Sequence, residues 1–321
     1  MTQDLTVFRE TVKQTLVSNL GDYRTEMLKL ATPIFDTRYN IDVIDFDGGG
    51  SFSTKTTTGA PSASAVRAMK STSSPAFKEQ LIILTDEQLL DQRAAGVMTA
   101  NRIISYAWNE IVSDFFALLF SGRATAHPEN GVSGSPLAAN GGGTVYFVDN
   151  FDVTSISAGA TFTQTNDHSL SLSATNLATV LAKRRTYKTR EAKKLMNTGV
   201  VPYLVVVPDL ETLGKDLVAQ SGRFYTGSGV DSGFAGRIRE CIVAPGDATS
   251  DTTSWAVVFV EEKQNPLGGS MRQGPVNCHI RMLPQVRIGY PTNANDVHVL
   301  AEFAFDNFYS NNEGDLLFSK P

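Results

Sequence analysis

The chain has 321 residues and a mass of 34.7 kDa, enough for roughly two domains that each bury a core of their own. Charged residues make up 19% of it, and the net charge is -5. This charged fraction is below the roughly 25% of ordinary globular proteins, which excludes a chain kept disordered by its charge. The acidic balance excludes a protein that binds nucleic acid over a broad basic face, because such proteins are basic overall.

The sequence predicts neither a membrane helix nor a secretory signal. Its longest apolar run, Phe115 to Phe120, is much shorter than the ~18 residues that a membrane helix needs. The first residues contain no basic stretch followed by an apolar one. Cys241 and Cys278 are the only cysteines, and two in a chain of this length predict ordinary cytosolic thiols rather than a disulfide framework.

The N-terminal region contains two periodic segments. Between Asp4 and Leu20, apolar residues recur at four-residue steps, which predicts a short helix with one apolar stripe. The residues of this stripe are Phe8, Val12, Leu16 and Leu20. From Tyr39 to Phe46, polar and apolar residues alternate, which predicts a half-buried strand.

The segment from Gly48 to Lys78 has an unusual composition. Twelve of the 24 residues from Ser51 to Ser74 are Ser or Thr, and the whole segment contains no Asp or Glu. Its charged residues are Lys55, Arg67, Lys70 and Lys78. Such a stretch buries too little apolar surface to offset the entropy of ordering it. Two interpretations remain open: a solvated loop, or an arm that becomes ordered against another, acidic surface.

The strongest helix signal follows a predicted strand at Phe77–Leu84. Thr85 and Gln88 have the spacing of a capping box, which starts a helix. Apolar residues then recur at steps of three and four as far as Phe120, which predicts a helix about 50 Å long. They include Leu90, Ala94, Val97, Ile104, Trp108, Ile111, Phe115 and Leu118.

The middle of the chain combines a β-rich excursion with a basic helix end. The region from Arg123 to Asn166 is rich in Gly, Asn and Ser, with strand-like pieces at Thr144–Val148 and Ala160–Thr165. Ser173 is expected to open a helix that leads into seven basic residues between Lys183 and Lys194. This basic run is interpreted as a solvated helix face with its exit loop, or alternatively as a patch that faces phosphate or an acidic partner.

The remaining pattern is mainly that of strands. Val201–Val207 is a continuous apolar run, which is typical of a strand buried on both faces. Asp209 is expected to cap the next helix, and the glycine-rich segment from Ser221 to Gly236 is expected to be a loop. Four later segments alternate with period two: Arg239–Val243, Ser254–Val260, Val276–Met282 and Val297–Phe305. The predicted fold class is therefore α+β.

No motif in the sequence indicates chemistry. Phosphate-binding glycine motifs and a nucleophile elbow are missing, and the histidines are scattered at His127, His168, His279 and His298. Cys278 and His279 are adjacent in a predicted strand, so they belong to opposite faces and cannot share a metal. We therefore predict no catalytic, cofactor-binding or metal-binding residue, no cofactor, and no enzymatic activity.

The order of these features resembles the major capsid proteins of tailed double-stranded DNA phages. A basic extended segment runs into the Phe77–Leu84 strand, the helix start at Thr85–Asp91 and the helix end at Phe115–Gly122; a glycine-rich stretch follows. The segment Tyr203–Glu211 also resembles the strand, proline and helix of Mu-like major head subunits. The resemblance implies the fold named after phage Hong Kong ninety-seven.

This fold implies a division of the chain into five parts. They are an N-terminal arm at residues 1–41, an extended loop over a neighbouring subunit at 42–84, a peripheral domain with a spine helix and a β-rich insertion at 85–170, an axial domain at 171–290, and a C-terminal return to the peripheral domain at 291–321. No long scaffold-like domain precedes the arm in this sequence, so a scaffold would be a separate protein or absent.

The function implied is that of a virion head subunit, assembled in the host cytoplasm into hexamers and pentamers of an icosahedral shell around double-stranded DNA. The partners implied are other copies, a separate scaffolding protein, a portal, a decoration protein, and DNA through weak contacts; a membrane is not among them. Some relatives cross-link a loop lysine to an asparagine of a neighbour. The corresponding candidates here are Lys55 or Lys70 with Asn307 or Asn311.

Three other functions remain open from the sequence. An encapsulin-like compartment shell would share the fold but hold cargo enzymes. An enzyme with an unrecognised α+β fold would unite acids or His279 in a pocket with perturbed ionisation. A nucleic-acid-binding module would use the basic run from Lys183 to Lys194 and bind with a steep salt dependence.

Overall fold

The structure, a computed structural model, describes residues 22–48, 66–85, 93–125, 145–147, 151–154, 161–187, 200–218, 237–265, 269–289, 296–310 and 313–321. Several sequence-based predictions lie outside these residues. They are the helix at Asp4–Leu20, the capping box after Thr85, the glycine-rich loop at Ser221–Gly236 and the end of the basic run beyond Tyr187.

The described helices are α1 (Asp22–Leu30), α2 (Arg93–Ser121), α3 (Ala174–Thr186) and α4 (Glu211–Val218). The strands of the first half are β1 (Ala31–Phe35), β2 (Ile41–Gly48), β3 (Val66–Ser73), β4 (Ala76–Thr85), β5 (Phe151–Thr154), β6 (Thr161–Gln164) and β7 (Asp167–His168). Those of the second half are β8 (Val200–Val206), β9 (Cys241–Val243), β10 (Trp255–Asn265), β11 (Gly269–Gln273), β12 (Val276–Gly289), β13 (Asp296–Tyr309) and β14 (Leu316–Ser319).

The first sheet has the strand order β1-β12-β13-β4, and the long helix α2 packs across one of its faces. Strand β1 runs parallel to β12, and the other pairs are antiparallel. The apolar stripe of α2 places Ile111, Phe115 and Leu119 in the core, where they are fully buried together with Phe303 and Phe305 of β13. The predicted strand at Phe77–Leu84 and the predicted end of the helix are confirmed.

The prediction that no apolar segment approaches the length of a membrane span is wrong for α2. The segment Ile103–Ser121 is 19 residues long, with a mean hydropathy of 1.3, so it is long and apolar enough to cross a membrane. Half of its most apolar window is buried inside the protein. The apolar character of α2 is therefore explained by its position between the sheet and the rest of the core.

The second sheet has the order β7-β14-β10-β8-β9, with β11 also paired to β10. Its central strands are covered on both faces, as predicted for the apolar run at Val201–Val207. Tyr203 and Val205 belong to the core that contains α2, whereas Leu204 and Val206 pack on the other side with Leu177 of α3. The second sheet therefore separates two hydrophobic clusters.

The two predicted helix caps have different outcomes. The Ser173 side chain accepts a hydrogen bond from the backbone N–H of Asn176, so it caps α3 as predicted. The prediction for Asp209 is wrong, because a short 3₁₀ turn at Pro208–Leu210 precedes α4 and no side chain caps it. Proline fits the first position of this turn, since the position needs no N–H donor.

The excursion after α2 is partly β-structure. Strands β5 and β6 form an antiparallel pair, which confirms the piece expected at Ala160–Thr165. The strand expected at Thr144–Val148 is reduced to a bridge at Val145 among its described residues. The next two side chains insert into the core instead: Tyr146 stacks on Tyr309 at 3.8 Å between ring centroids, and Phe147 stacks on Phe318 at 4.7 Å.

Both thiols are free. Burial raises the pKa of the Cys278 thiol to about 12 and that of the Cys241 thiol to about 12. A thiol with such a pKa is almost entirely protonated near neutral pH, and it is therefore a poor nucleophile.

Removing the charge of Asp251 will reduce the loss of stability in acid. Partial burial opposes ionisation, but hydrogen bonds from Ser254, Lys320 and Thr253 outweigh it and lower the pKa of Asp251 overall. A lowered pKa gives stability above the unfolded value of about 3.9, and this stability is lost as the pH falls through the folded value. In urea titrations between about pH 5 and 2, we expect the wild type to lose about 1–2 kcal/mol more than Asp251→Asn.

The exposed Asp247 lies in the preceding turn, and Asp247→Asn is the matched control. The free energy of unfolding of Asp247→Asn should fall with pH as that of the wild type does. Identical pH profiles for Asp251→Asn and the wild type would contradict a stabilising role for the hydrogen-bonded carboxylate.

Candidate functional site

The most distinctive feature of the structure is the hairpin of β2 and β3. The two strands pair in an unbroken antiparallel register from Ile41↔Ser73 to Gly48↔Val66. The strand predicted near Tyr39–Phe46 is confirmed. The expectation that Gly48–Lys78 lacks regular structure of its own is wrong for Val66–Ser73, because strand pairing satisfies the backbone groups although the side chains offer little apolar surface.

A buried polar cluster anchors the base of this hairpin to the first sheet. His279 of β12 is completely buried. Its Nδ1 lies 2.9 Å from Ser73 Oγ, and its Nε2 lies 3.0 Å from the backbone oxygen of Asp36. Asp306 of β13 accepts from the Ser74 N–H at 2.8 Å and lies 2.8 Å from Ser73 Oγ. The cluster thus joins the end of β1, the end of β3 and two central strands.

The number of hydrogens on each group limits which groups donate and which accept in this cluster. The carbonyl of Asp36 can only accept, so Nε2 of His279 carries a hydrogen. The Ser73 hydroxyl has one hydrogen and faces two possible acceptors, His279 and Asp306. In a catalytic triad the imidazole stands between hydroxyl and carboxylate, whereas here the hydroxyl stands in the middle. The cluster therefore fixes the geometry of the hairpin base, and no substrate can reach the buried imidazole.

A second polar contact connects α2 with the sheet. Asn307 of β13 is 8% exposed, and its Nδ2 donates to the backbone oxygen of Ile111 at 3.1 Å and to Asp114 Oδ2 at 2.9 Å. Desolvation raises the pKa of Asp114 from its usual value. The amide nitrogen of Asn307 is therefore bound within its own chain. Lys55 and Asn311 lie outside the described residues.

The sequence matches no protein-family model and no curated protein. Solved structures with a similar fold include the capsid of a native GTA particle (13% identity, 94% of this chain and 91% of that chain covered, TM-score 0.53), the capsid of cyanophage P-SCSP1u (9%, 91% and 86%, 0.50) and the capsid of Ralstonia phage GP4 (9%, 90% and 86%, 0.50). Each alignment covers most of both chains. This chain has the Hong Kong ninety-seven-type capsid fold.

Within this capsid fold, the start of the basic run has a structural role. Arg184 is buried, with its side chain 3% exposed, and its Nη2 lies 2.6 Å from Asp315 Oδ1. Its guanidinium also lies over the ring of Phe259 at 5.3 Å. Arg184 therefore belongs neither to a solvated face nor to a phosphate-facing patch, and both interpretations of the run are wrong at this position. The neighbouring Lys183 and Arg185 are exposed.

Two of the histidines considered as candidate site residues are buried in the fold. His168 is buried beside β14, and His279 is used by the hairpin anchor. Among the described residues, no group of three or more His, Cys, Asp or Glu side chains could hold a metal ion. The sequence did not reveal the role of Ser73 at the end of β3. Its partners, His279 and Asp306, lie more than 200 residues away along the chain.

Proposed function

We propose that this chain is the major capsid protein of a tailed phage, forming the hexamers and pentamers of an icosahedral shell around double-stranded DNA. The observation that carries the proposal is the similarity in fold to phage capsid subunits over 90% or more of this chain. On this proposal the protein is a structural component of the virion rather than an enzyme. It is assembled in the host cytoplasm.

The anchored hairpin supports this role for a physical reason. Its strands extend about 26 Å from the base, at about 3.3 Å per residue. The main packing of β3 on the rest of the chain is against β13, at the anchored base. A long, anchored arm with a polar composition buries little apolar surface within one subunit. It is suited to contacts between subunits, where a second chain supplies the missing surface.

Strand pairing suggests how the domains of such a subunit are composed. We assign residues 1–30 to the arm and β2–β3 to the extended loop. The peripheral domain contains α2 and the first sheet, and the axial domain contains α3, α4 and the second sheet. This assignment moves β1, β4 and β12 into the peripheral domain, since they share a sheet with β13, and β14 into the axial domain, since it pairs with β10. All four placements differ from the division expected from the sequence.

The partners of such a shell follow from the same proposal. Copies of the chain are the main partners, together with a separate scaffolding protein, a portal and a decoration protein. The net charge of -5 suits a container whose subunits do not bind DNA tightly, because the packaged polymer is itself strongly negative.

The proposal is tested by expressing the chain alone and with a scaffolding protein encoded beside it. We expect closed particles of uniform size in negative-stain electron microscopy and in sedimentation. Shell particles that contain protein cargo instead of DNA when isolated from the native source would favour a compartment shell of the same fold. Only small species under every condition would contradict the proposed function.

A further inference from the structure

The base of the β2–β3 hairpin is held by Ser73 of β3, His279 of β12 and Asp306 of β13, which we call the hairpin anchor. His279 and Asp306 lie opposite each other in the register of their strands. The preceding residue of β12, Cys278, and the following residue of β13, Asn307, face α2, so the anchor lies on the other face of the first sheet. Ser73 and His279 are completely buried, so bulk solvent does not reach either side chain.

The side chains of the anchor make three contacts of hydrogen-bond length. His279 Nε2 lies 3.0 Å from the backbone oxygen of Asp36. Ser73 Oγ lies 2.9 Å from His279 Nδ1 and 2.8 Å from Asp306 Oδ2. Each contact needs one hydrogen between its two atoms. A neutral imidazole carries one hydrogen and the hydroxyl carries another, whereas a carbonyl and an ionised carboxylate carry none. Two hydrogens cannot satisfy three contacts, so a neutral His279 would leave two lone pairs facing each other.

The hydrogen bonds of Asp306 show where the third hydrogen belongs. Its Oδ2 also accepts the backbone N–H of Ser74 at 2.8 Å. The two lone pairs of this oxygen therefore receive hydrogens from Ser74 and from the Ser73 hydroxyl, which is the pattern of an ionised carboxylate. Since the hydroxyl hydrogen is directed to Asp306, Ser73 Oγ accepts from His279 Nδ1. Both ring nitrogens of His279 then carry a hydrogen, which is the imidazolium form.

The charged groups around the anchor are compatible with a cation at His279. Asp306 provides a negative charge through the bridging hydroxyl of Ser73. On β1, hydrogen bonds from Arg38 are the main cause that lowers the pKa of Asp36, and the nearby imidazole of His279 contributes. An imidazolium beside the partly buried carboxylate of Asp306 leaves the pair without net charge. The other charged residues on the elements around the anchor are Arg281 of β12, which donates to the backbone oxygen of Thr37, Asp42 and Lys70 of the hairpin, and Asp114 of α2 on the far face of the sheet.

We propose that the hairpin anchor is a proton-binding site: the hairpin base is held while His279 carries hydrogens on both ring nitrogens, and it is released when one of them is lost. Loss of the hydrogen brings two lone pairs together in one of the three contacts and leaves the charge of Asp306 unbalanced. The weakened contacts are those that attach Ser73 and Ser74 to the sheet, so the base of the hairpin is looser in alkali than in mild acid. The site belongs to a single chain and does not depend on the proposed function.

Hydrogen–deuterium exchange of the full chain tests the site. Amide exchange of the peptide that contains β3 and Ser74 is measured in mild acid and in mild alkali, and each rate is divided by the intrinsic rate at that pH. We expect the corrected exchange of this peptide to be about tenfold faster in alkali, as for the loss of one buried hydrogen bond. The corrected exchange of β8 in the second sheet should be the same in both conditions. Corrected exchange of β3 that is independent of pH, or faster in acid, would overturn the proposal.

Three variants assign the pH dependence to the anchor. His279→Gln removes the group that binds the proton, so the corrected exchange of β3 should no longer depend on pH. Ser73→Ala removes the bridge to Asp306, so exchange should be fast in both conditions. His298→Gln is the matched control, because His298 lies on the same strand as Asp306 but opposite Gly289, about 26 Å away, and it should keep the wild-type behaviour.

The melting temperature of each variant shows whether it is folded. Should His279→Gln fail to fold, the wild type and Ser73→Ala still decide the question. A pH dependence that persists in Ser73→Ala, or that disappears in His298→Gln, would overturn the assignment of the proton to this anchor.

Discussion

A chain in which residues 49–65 are replaced by an Asn-Gly turn will stay folded but will not form shells. An Asn-Gly pair closes a two-residue hairpin, and the last strand pair, Gly48↔Val66, is positioned to receive it. The anchor at Ser73 and His279 is untouched, so we expect the stability of the isolated chain to change by less than about 1 kcal/mol. The variant keeps β2 and β3 but lacks residues 49–65, which we expect to contact a neighbouring subunit.

Two measurements on this variant distinguish folding from assembly. Circular dichroism and urea titration should match the wild type, whereas electron microscopy should show no closed particles. A chain with residues 49–65 replaced by a Gly/Ser segment of equal length is the control for length alone. Normal particles formed by the short-turn variant would show that residues 49–65 are not needed for contacts between subunits.

Replacing Arg184 by Met will destabilise the protein by about 3 kcal/mol, the largest effect on stability that we expect from a single substitution in the basic run. The substitution keeps the approximate length of the side chain but removes an ion-pair partner of Asp315 at a site where the Arg184 side chain is 3% exposed. It also removes the contact of the cation with the ring of Phe259. The free energy of unfolding in urea measures the loss.

Arg185→Met is the matched control. Arg185 is the next residue on α3 and is exposed, so its replacement should change the free energy of unfolding by no more than about 0.5 kcal/mol. Equal losses for the two variants would mean that the run acts through its total charge. That result would contradict the structural role of Arg184.

The parts of the fold that could be predicted from the sequence are those with a long, unambiguous period. Apolar residues at steps of three and four predict the helix α2, and a continuous apolar run predicts the buried strand β8. Both elements are present. The identification of Ser173 as a helix cap succeeded for a similar reason, since an N-cap depends only on residues three positions away.

The parts that could not be predicted depend on contacts between distant segments. Strand β3 has no apolar pattern, and it is held by backbone pairing with β2 and by His279, which lies 206 residues from Ser73. Arg184 resembles its basic neighbours in the sequence, and only the position of Asp315 shows that it is buried. Local patterns do not encode either contact, because both partners come from strands or turns placed by the fold as a whole.

The most direct test of the central claim is a three-dimensional reconstruction of the particles by cryo-electron microscopy. We predict a closed icosahedral shell of hexamers and pentamers in which the β2–β3 hairpin of each subunit contacts a neighbouring subunit. Particles without icosahedral symmetry, or a shell in which every hairpin contacts only its own subunit, would contradict it.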